Sequence, residues 1–309
     1  MPLDADLLLD RRKLKRRVTL WRFLAVLAVA VLVIAVLPLR EDGELLLPTT
    51  GAHLARLPVN GIIGDDRRTI EALDRAARDG QVRAVIVAID SPGGTVAGGE
   101  GLHAALRRVA ERKPVVATMG GTAASAGYMV ALPAARIFAR ESTVTGSIGV
   151  LLQAFDASQL MAWLGVRPET LASGAFKAQP NPFEPLTEEG RAQLMRVVRD
   201  LHDQFVGMVT RGRNLPEARV RELADGRVFT GREALGLGLV DAIGGEAEAR
   251  AWLAENKGVS ATLPIRDIET RGFAERNLRG AMQGILQGIL AEWLLVDRVR
   301  AVWQPAFLQ

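Results

Sequence analysis

The chain has 309 residues, about half of them apolar and 24% charged, enough for one large domain or two modest ones with a membrane attachment. It contains no cysteine, which excludes a thiol nucleophile, thiolate metal sites and disulfides, and its three histidines (His53, His103, His202) are scattered with no H-E-x-x-H pattern. The net charge of +4 resides in the first 22 residues, where seven basic side chains face three acids; the rest of the chain carries 32 charges of each sign. A nucleic-acid binder needs its basic excess on the folded domain, so no nucleic-acid partner is expected.

Residues 1–22 read as a basic cytoplasmic tail. Phe23 to Leu39 is uncharged over 17 residues, a helix of about 26 Å against a hydrocarbon core of about 30 Å. Val18 to Trp21 extend it, with Arg22 snorkelling to the headgroups. The basic flank before it, against Glu41, Asp42 and Glu44 after it, predicts a transmembrane helix at 23–39 with its N-terminus inside. A cleaved signal peptide is the rival, but its apolar region would be long and no A-x-A-like site follows. A buried core helix fits the polybasic flank poorly. Residues 40–52 read as a linker, and 53–258 as the main domain.

From His53 strands and helices alternate. Residues 53–64 read as a strand, with Pro58 suggesting an edge or a break. Residues 67–79 place Ile70, Leu73, Ala76 and Ala77 at helical spacing. Residues 82–90, VRAVIVAID, form a β-branched run expected of a strand covered on both faces. Ser91 to Gly94 reads as a turn, 95–112 as a helix, and 113–119 as another buried strand. Gly120, Gly121 and a helix containing Ser125 follow, then short strands at 135–139 and 144–150. This βαβαβ order predicts an α/β fold with crossover helices. The stretch 186–213 reads as the longest soluble helix, capped by Thr187 with Glu188 and Glu189 in its first turn. Residues 259–309 form a C-terminal extension with a helix at 277–303. Its apolar stripe (Leu278, Met282, Ile285, Ile289) fits a neighbouring copy, a membrane interface or the core equally well.

Two features converge on Ser125. Asp90-Ser91-Pro92-Gly93-Gly94 ends one buried strand, where successive glycines leave N–H groups open to an anion or a polarised carbonyl. Ser125 ends the next strand and opens a helix, whose terminus offers further donors. Taken alone, Pro-Gly-Gly is commonly only a turn and a serine before a helix only a cap. With no histidine nearby, a base for Ser125 must be a carboxylate or a lysine. Lysines number five against 34 arginines, and Lys177 lies among Ala175, Phe176 and Ala178. A lysine acts as base only when neutral, which burial among apolar groups promotes; the alternative is a solvated loop lysine, and spacing alone leaves both open.

The segments AIDSPGGTVAGGEGLHAAL, KPVVATMGGTAASAGYMVALPA, TGSIGV, SGAFKAQPNPFEPLTEEGR and DGRVFTGREALGLGLVDAIGG together resemble the signal peptide peptidase A family, in matching order over residues 53 to about 255. The family consists of membrane-anchored serine peptidases, here of the short, single-domain type. The resemblance implies a Clp protease/crotonase-like domain and a Ser–Lys dyad without cofactor or metal. It assigns Ser125 as nucleophile, Lys177 as general base and Ser147 as the serine that orients the lysine. Backbone N–H groups of Gly93 or Gly94 and of Ala126 would form the oxyanion hole. Ala126 is a departure, since many members carry glycine there, but its N–H still serves. The implied substrates are cleaved signal peptides and other hydrophobic segments, met at the extracytoplasmic face of the inner (plasma) membrane beside its lipid. The implied assembly is a homo-oligomer in which small domains share sites. Acyl-CoA chemistry on the same scaffold lacks a pair of acids after the strands. A related protease directed at membrane proteins and a non-catalytic membrane scaffold remain as alternatives.

Overall fold

Val85, Val87 and Ile89 point to one side of their strand and Ala84 and Ile86 to the other, and none of the five is more than 1% exposed. The first set joins the main core with Leu73, Leu106, Met129 and Phe205; the second packs with Leu54, Val116, Phe138 and Leu253. That division explains the unbroken apolar run, because a strand covered on both faces has no polar side. It belongs to a computed structural model in which residues 21–22 and 51–268 are described. The chain divides into two units, Met1–Gly51 and Ala52–Gln309, and the sheet with its flanking helices belongs to the second. The expected span at 23–39 and the C-terminal helix at 277–303 lie outside the described residues, as do nearly all of the basic tail and the linker. Among the described residues no helix is long and apolar enough to cross a membrane.

The elements run β1 (His53–Ile63), α1 (Arg67–Arg78), β2 (Val82–Gly94), α2 (Val96–Ala110), β3 (Val115–Ala124), α3 (Ala126–Ala131), β4 (Arg136–Ala139) and β5 (Val144–Gly146). Then come α4 (Ser158–Trp163), α5 (Glu188–Arg213), α6 (Glu217–Leu223), β6 (Val228–Thr230), α7 (Gly231–Gly236), β7 (Ala242–Ile243), α8 (Glu246–Lys257) and β8 (Ile265–Asp267). The strands form one mixed sheet in the order β6-β5-β3-β2-β1-β8, with β4 beside β3 and β7 beside β4. All pairings are parallel except β5 with β6. The expected α/β alternation is therefore present, and β8 carries the sheet past residue 258. Pro58 sits where β8 has ended, since β8 pairs only with Leu54 to Arg56. Leu54 donates its N–H toward β8, so by alternation the donor missing at Pro58 faces an open edge and costs no ladder bond.

Local chemistry fixes the helices. Asp66 caps α1 by accepting from the N–H of Arg68 and Thr69 at 3.0 and 3.3 Å, and α1 buries Leu73, Ala76 and Ala77. Burying Leu73 alone contributes about 1.5–3 kcal/mol. Thr187 caps α5 through the Gly190 N–H at 3.0 Å, as expected, and the helix ends at left-handed Asn214.

Two sequence expectations are corrected. Ser91 to Gly94 is not a turn: β2 stays extended there, pairing Gly93 and Gly94 with Ile62 and Ile63. Turn propensity was overridden because β1 runs on and offers a ladder partner. The strand expected at 144–150 stops at Gly146, because Gly146 and Ser147 both take positive φ, 81° and 48°. A bulge matters more for the site. Ile89 pairs with Met119 but Ser91 pairs with Ala123, so β3 carries two extra residues around Gly120-Gly121. Asp90 Oδ1 holds the bulge by accepting the Thr122 N–H at 3.0 Å, and Thr143 Oγ1 donates to Gly120 O at 2.7 Å. The first half of β3 then pairs with β4 and its end with β5, which delivers Ser125 between β2 and β5.

Candidate active site

Ser125 occupies the single residue between β3 and α3, with φ 53° and ψ −119°. A non-glycine residue seldom adopts this backbone, and such strain persists only where its surroundings enforce it. Here its N–H donates to Gly146 O at 2.9 Å, while its carbonyl accepts from Tyr128 and Met129 at 2.9 and 3.0 Å. Its side chain makes no capping bond to α3. The capping role that is commonest for a serine before a helix is thus absent. The hydroxyl is half-buried and, among the described residues, has no hydrogen-bond partner. The Ser125 carbonyl takes up the N–H groups of Tyr128 and Met129, while those of Ala126 and Gly127, the first two of α3, have no acceptor within the helix.

The glycine stretch of β2 lies against this serine. Gly93 has φ 121°, and a Cβ there would stand 2.9 Å from Ser125 Cβ and 3.3 Å from Ser125 Oγ, so only glycine fits. Its own N–H donates to Ser91 Oγ at 3.1 Å. Thr95 donates to Ile63 O at 2.9 Å on the β1 side. Alternation along an extended strand therefore turns the intervening Gly94 N–H away from β1, toward the side on which β3 lies. Of the two glycine donors named from the sequence, Gly93 has its N–H on Ser91 Oγ, whereas Gly94 is exposed. On the α3 side, Gly127 packs on Ser91, whose carbonyl oxygen would be 3.0 Å from a Cβ there.

Ser147 follows directly on Gly146, the residue that pairs with Ala124 and accepts from Ser125. Its N–H donates to Arg227 O at 2.9 Å, and Gly226 donates to Ile148 O at 3.1 Å, so the 225–228 stretch fixes this corner. Ser125, Ser147, Gly93, Gly94 and Ala126 are brought together at the ends of β2, β3 and β5. Lys177 stands apart in its environment. It lies in an irregular stretch in which no residue from 149 to 189 is buried; it is itself exposed, and its ammonium has no hydrogen bond or ion pair among the described residues. The burial that would make it a base is not supplied by the described residues. Among the described residues, no cluster of three His, Asp or Glu side chains is placed to hold a metal ion.

A buried polar network lies beneath α3. Tyr128, fully buried, donates to Leu239 O at 2.7 Å, and burial pushes its phenol well above the ordinary range. Arg213 grips Asp241 with two bonds of 2.9 and 2.6 Å and donates to Gly238 O at 2.9 Å; Asp241 also accepts the Ile137 N–H at 2.7 Å. Burial alone would raise the Asp241 carboxyl, but Arg213 and the Ile137 N–H outweigh it and hold the group below its usual value. Sequence reasoning missed Ser91, Asp90 and this network. The signal for Ser91 and Asp90 was their place in the Asp-Ser-Pro-Gly-Gly stretch, but their partners depend on the register of neighbouring strands.

Residues 107–260 match the model of peptidase family S49. The chain is 38% identical over 213 residues to "Putative protease slr0021" of Synechocystis, covering 68% of this chain and 76% of that protein. It is 33% identical over 266 residues to "Putative signal peptide peptidase SppA" of Enterococcus faecium, covering 81% and 76%. Among solved structures it is similar to a point mutant of ClpP1 from Listeria monocytogenes, with a TM-score of 0.40 and 14% identity over 62% of this chain and 92% of that one. On these relationships the chain belongs to peptidase family S49 and is a serine peptidase.

Proposed function

We propose that this chain is a membrane-anchored endopeptidase with a Ser–Lys dyad that degrades cleaved signal peptides and other hydrophobic segments. The observation that carries the reading is Ser125 itself: a strained backbone, a hydroxyl with no capping bond, and Gly93 packed beside it. Neutral Lys177 takes the proton from Ser125 Oγ, which attacks the peptide carbonyl. The oxyanion sits between the N–H groups of Gly94 and Ala126, a donor of this kind being worth about 10²–10³ in rate. Lys177 then protonates the leaving amine, and water hydrolyses the acyl-enzyme. Ser147 orients the lysine, and the domain is of the Clp/crotonase-like type.

Lys177 reaches the neutral form in a homo-oligomer. Leu151, Phe155, Trp163 and Leu171 are 75–92% exposed on the stretch that carries the lysine. A second copy covering that stretch would bury the apolar side chains and desolvate the ammonium together. The segment 23–39 anchors the chain in the inner membrane with its N-terminus cytoplasmic and the peptidase domain outside, so enzyme and substrate share the lipid surface. Purified Ser125→Ala and Lys177→Ala proteins decide the matter on a fluorogenic peptide. Both should stay folded, lose turnover by at least about 10³-fold, and Ser125→Ala should no longer react with a fluorophosphonate. Substantial turnover by either variant defeats the dyad.

A further inference from the structure

The fully buried hydroxyl of Ser91 lies within two residues of the glycines that face the nucleophile, and no step of the proposed mechanism uses it. Ser91 Oγ donates its one proton to Gly61 O at 2.6 Å and accepts the Gly93 N–H at 3.1 Å. Its side chain thereby ties the far end of β1 to the residue that packs on Ser125. Gly127 of α3 presses on the Ser91 backbone from the other side. Ser91 is thus the point where β1, the glycine stretch and the nucleophile helix meet.

We propose that Ser91 is a positioning residue for the oxyanion site: its hydroxyl holds the Pro92-Gly93 peptide through the Gly93 N–H and lies 3.3 Å from Gly93 O in the next peptide, and so sets the aim of the Gly94 N–H. The proposal rests on Ser125 being the nucleophile. Two consequences follow from the geometry. First, the Gly93 N–H is spent inside the fold, and the clamp holds the chain so that the next N–H points out toward Ser125. Secondly, Pro92 between the two clamped residues has no N–H and a fixed φ, so it offers no competing donor and little freedom to compensate. Without the hydroxyl, Gly61 O and the Gly93 N–H lose their shared partner. Glycine-rich backbone is then free to rotate, and a donor displaced by a fraction of an ångström serves a developing oxyanion poorly.

The test is Ser91→Ala in the full-length protein, read by steady-state kinetics on a fluorogenic peptide and by the affinity of a peptide boronate. The boronate forms a tetrahedral adduct on the nucleophile and so reports the oxyanion site. A positioning role predicts kcat lower by about 10- to 100-fold, KM within about twofold, and boronate affinity reduced in step with kcat. A purely structural role predicts a lower melting temperature with kcat and boronate affinity unchanged at temperatures where the protein is folded, and that result overturns the proposal. So does a KM that rises in step with the loss of boronate affinity. If Ser91→Ala does not fold, Ser91→Cys keeps the volume with a weaker donor and carries the test by the same two readouts, with a smaller shift in the same direction. Ser125→Ala is measured alongside. Turnover by that variant overturns the nucleophile assignment and this proposal with it, whereas an inactive Ser125→Ala beside a fully active Ser91→Ala overturns this proposal alone.

Discussion

Around Ser125 the chain is packed to near-complete burial, whereas around Lys177 it buries nothing. Ala123, Ala126, Tyr128, Met129 and Val130 are each at most 2% exposed. Between residues 149 and 189 no residue is buried, and Leu171 is 92% exposed. The first region is held by parallel strand ladders, a carboxylate-pinned bulge and the Arg213–Asp241 pair. The second has one short helix and a few local bonds. The difference separates placement, which the described residues provide for Ser125, from cover, which they do not provide for Lys177. A nucleophile needs only precise placement, which the ends of neighbouring interior strands supply. A lysine base also needs desolvation, which needs a cover.

The sharpest way to break this comparison is to attack the exposed region without touching the packed one. Trp163→Glu combined with Leu171→Asp places charge on side chains that contact no core. If a second copy covers them, the variant should run as a smaller species by light scattering and lose at least about 100-fold in kcat/KM, with an unchanged melting temperature. Full activity in a monomeric variant would mean that the lysine region is completed within one chain. The opposite attack is Arg213→Ala, which strands Asp241 beneath α3. Removing one partner of a buried pair costs about 3–5 kcal/mol, so the melting temperature should fall by many degrees while any protein still folded keeps its oligomeric state.

How far these regions were readable from the sequence follows the same division. The β1–β3 spine was legible because its runs are apolar on both faces, and α1 and α5 because Leu73, Ala76, Ala77 and the Thr187 cap are local signals. Ser125 stood out as a candidate nucleophile only through the joint occurrence of distant motifs. Its strained backbone depends on Gly146 and Gly93, which neighbouring strands bring in. The β3 bulge and the Ser91 clamp were not legible, since both are set by strand register and register has no local code. The environment of Lys177 was not legible for a different reason: its apolar neighbours in the sequence, Ala175 and Phe176, are themselves exposed. Apolar flanks therefore do not establish burial.

The packed region has its own sensitivity to pH, carried by two groups with separate windows. Asp241 is held below its ordinary value, so its contribution is present above the unfolded carboxylate value of about 3.9 and is lost as pH falls through the folded one. His103 on α2 acts higher in the scale. Its Nδ1 lies 3.0 Å from the Met129 carbonyl of α3, and a carbonyl only accepts, so Nδ1 carries a proton. Burial lowers its pKa, and the charges of Arg107 and Arg211 push the same way; the Met129 bond and Glu100 oppose them without prevailing. With the folded value depressed, the unfolded chain takes up the second proton first. His103 therefore stabilises fully above about pH 6.5, and that share is lost as pH falls through the folded value. Melting temperature should fall as pH drops below about 6.5 in the native protein. His103→Asn keeps an N–H donor at the position of Nδ1 without titrating, and should make that fall shallower. An unchanged profile would place the low-pH sensitivity of the packed region in its carboxylates alone, with Asp241 the first to examine by Asp241→Asn over the lower window.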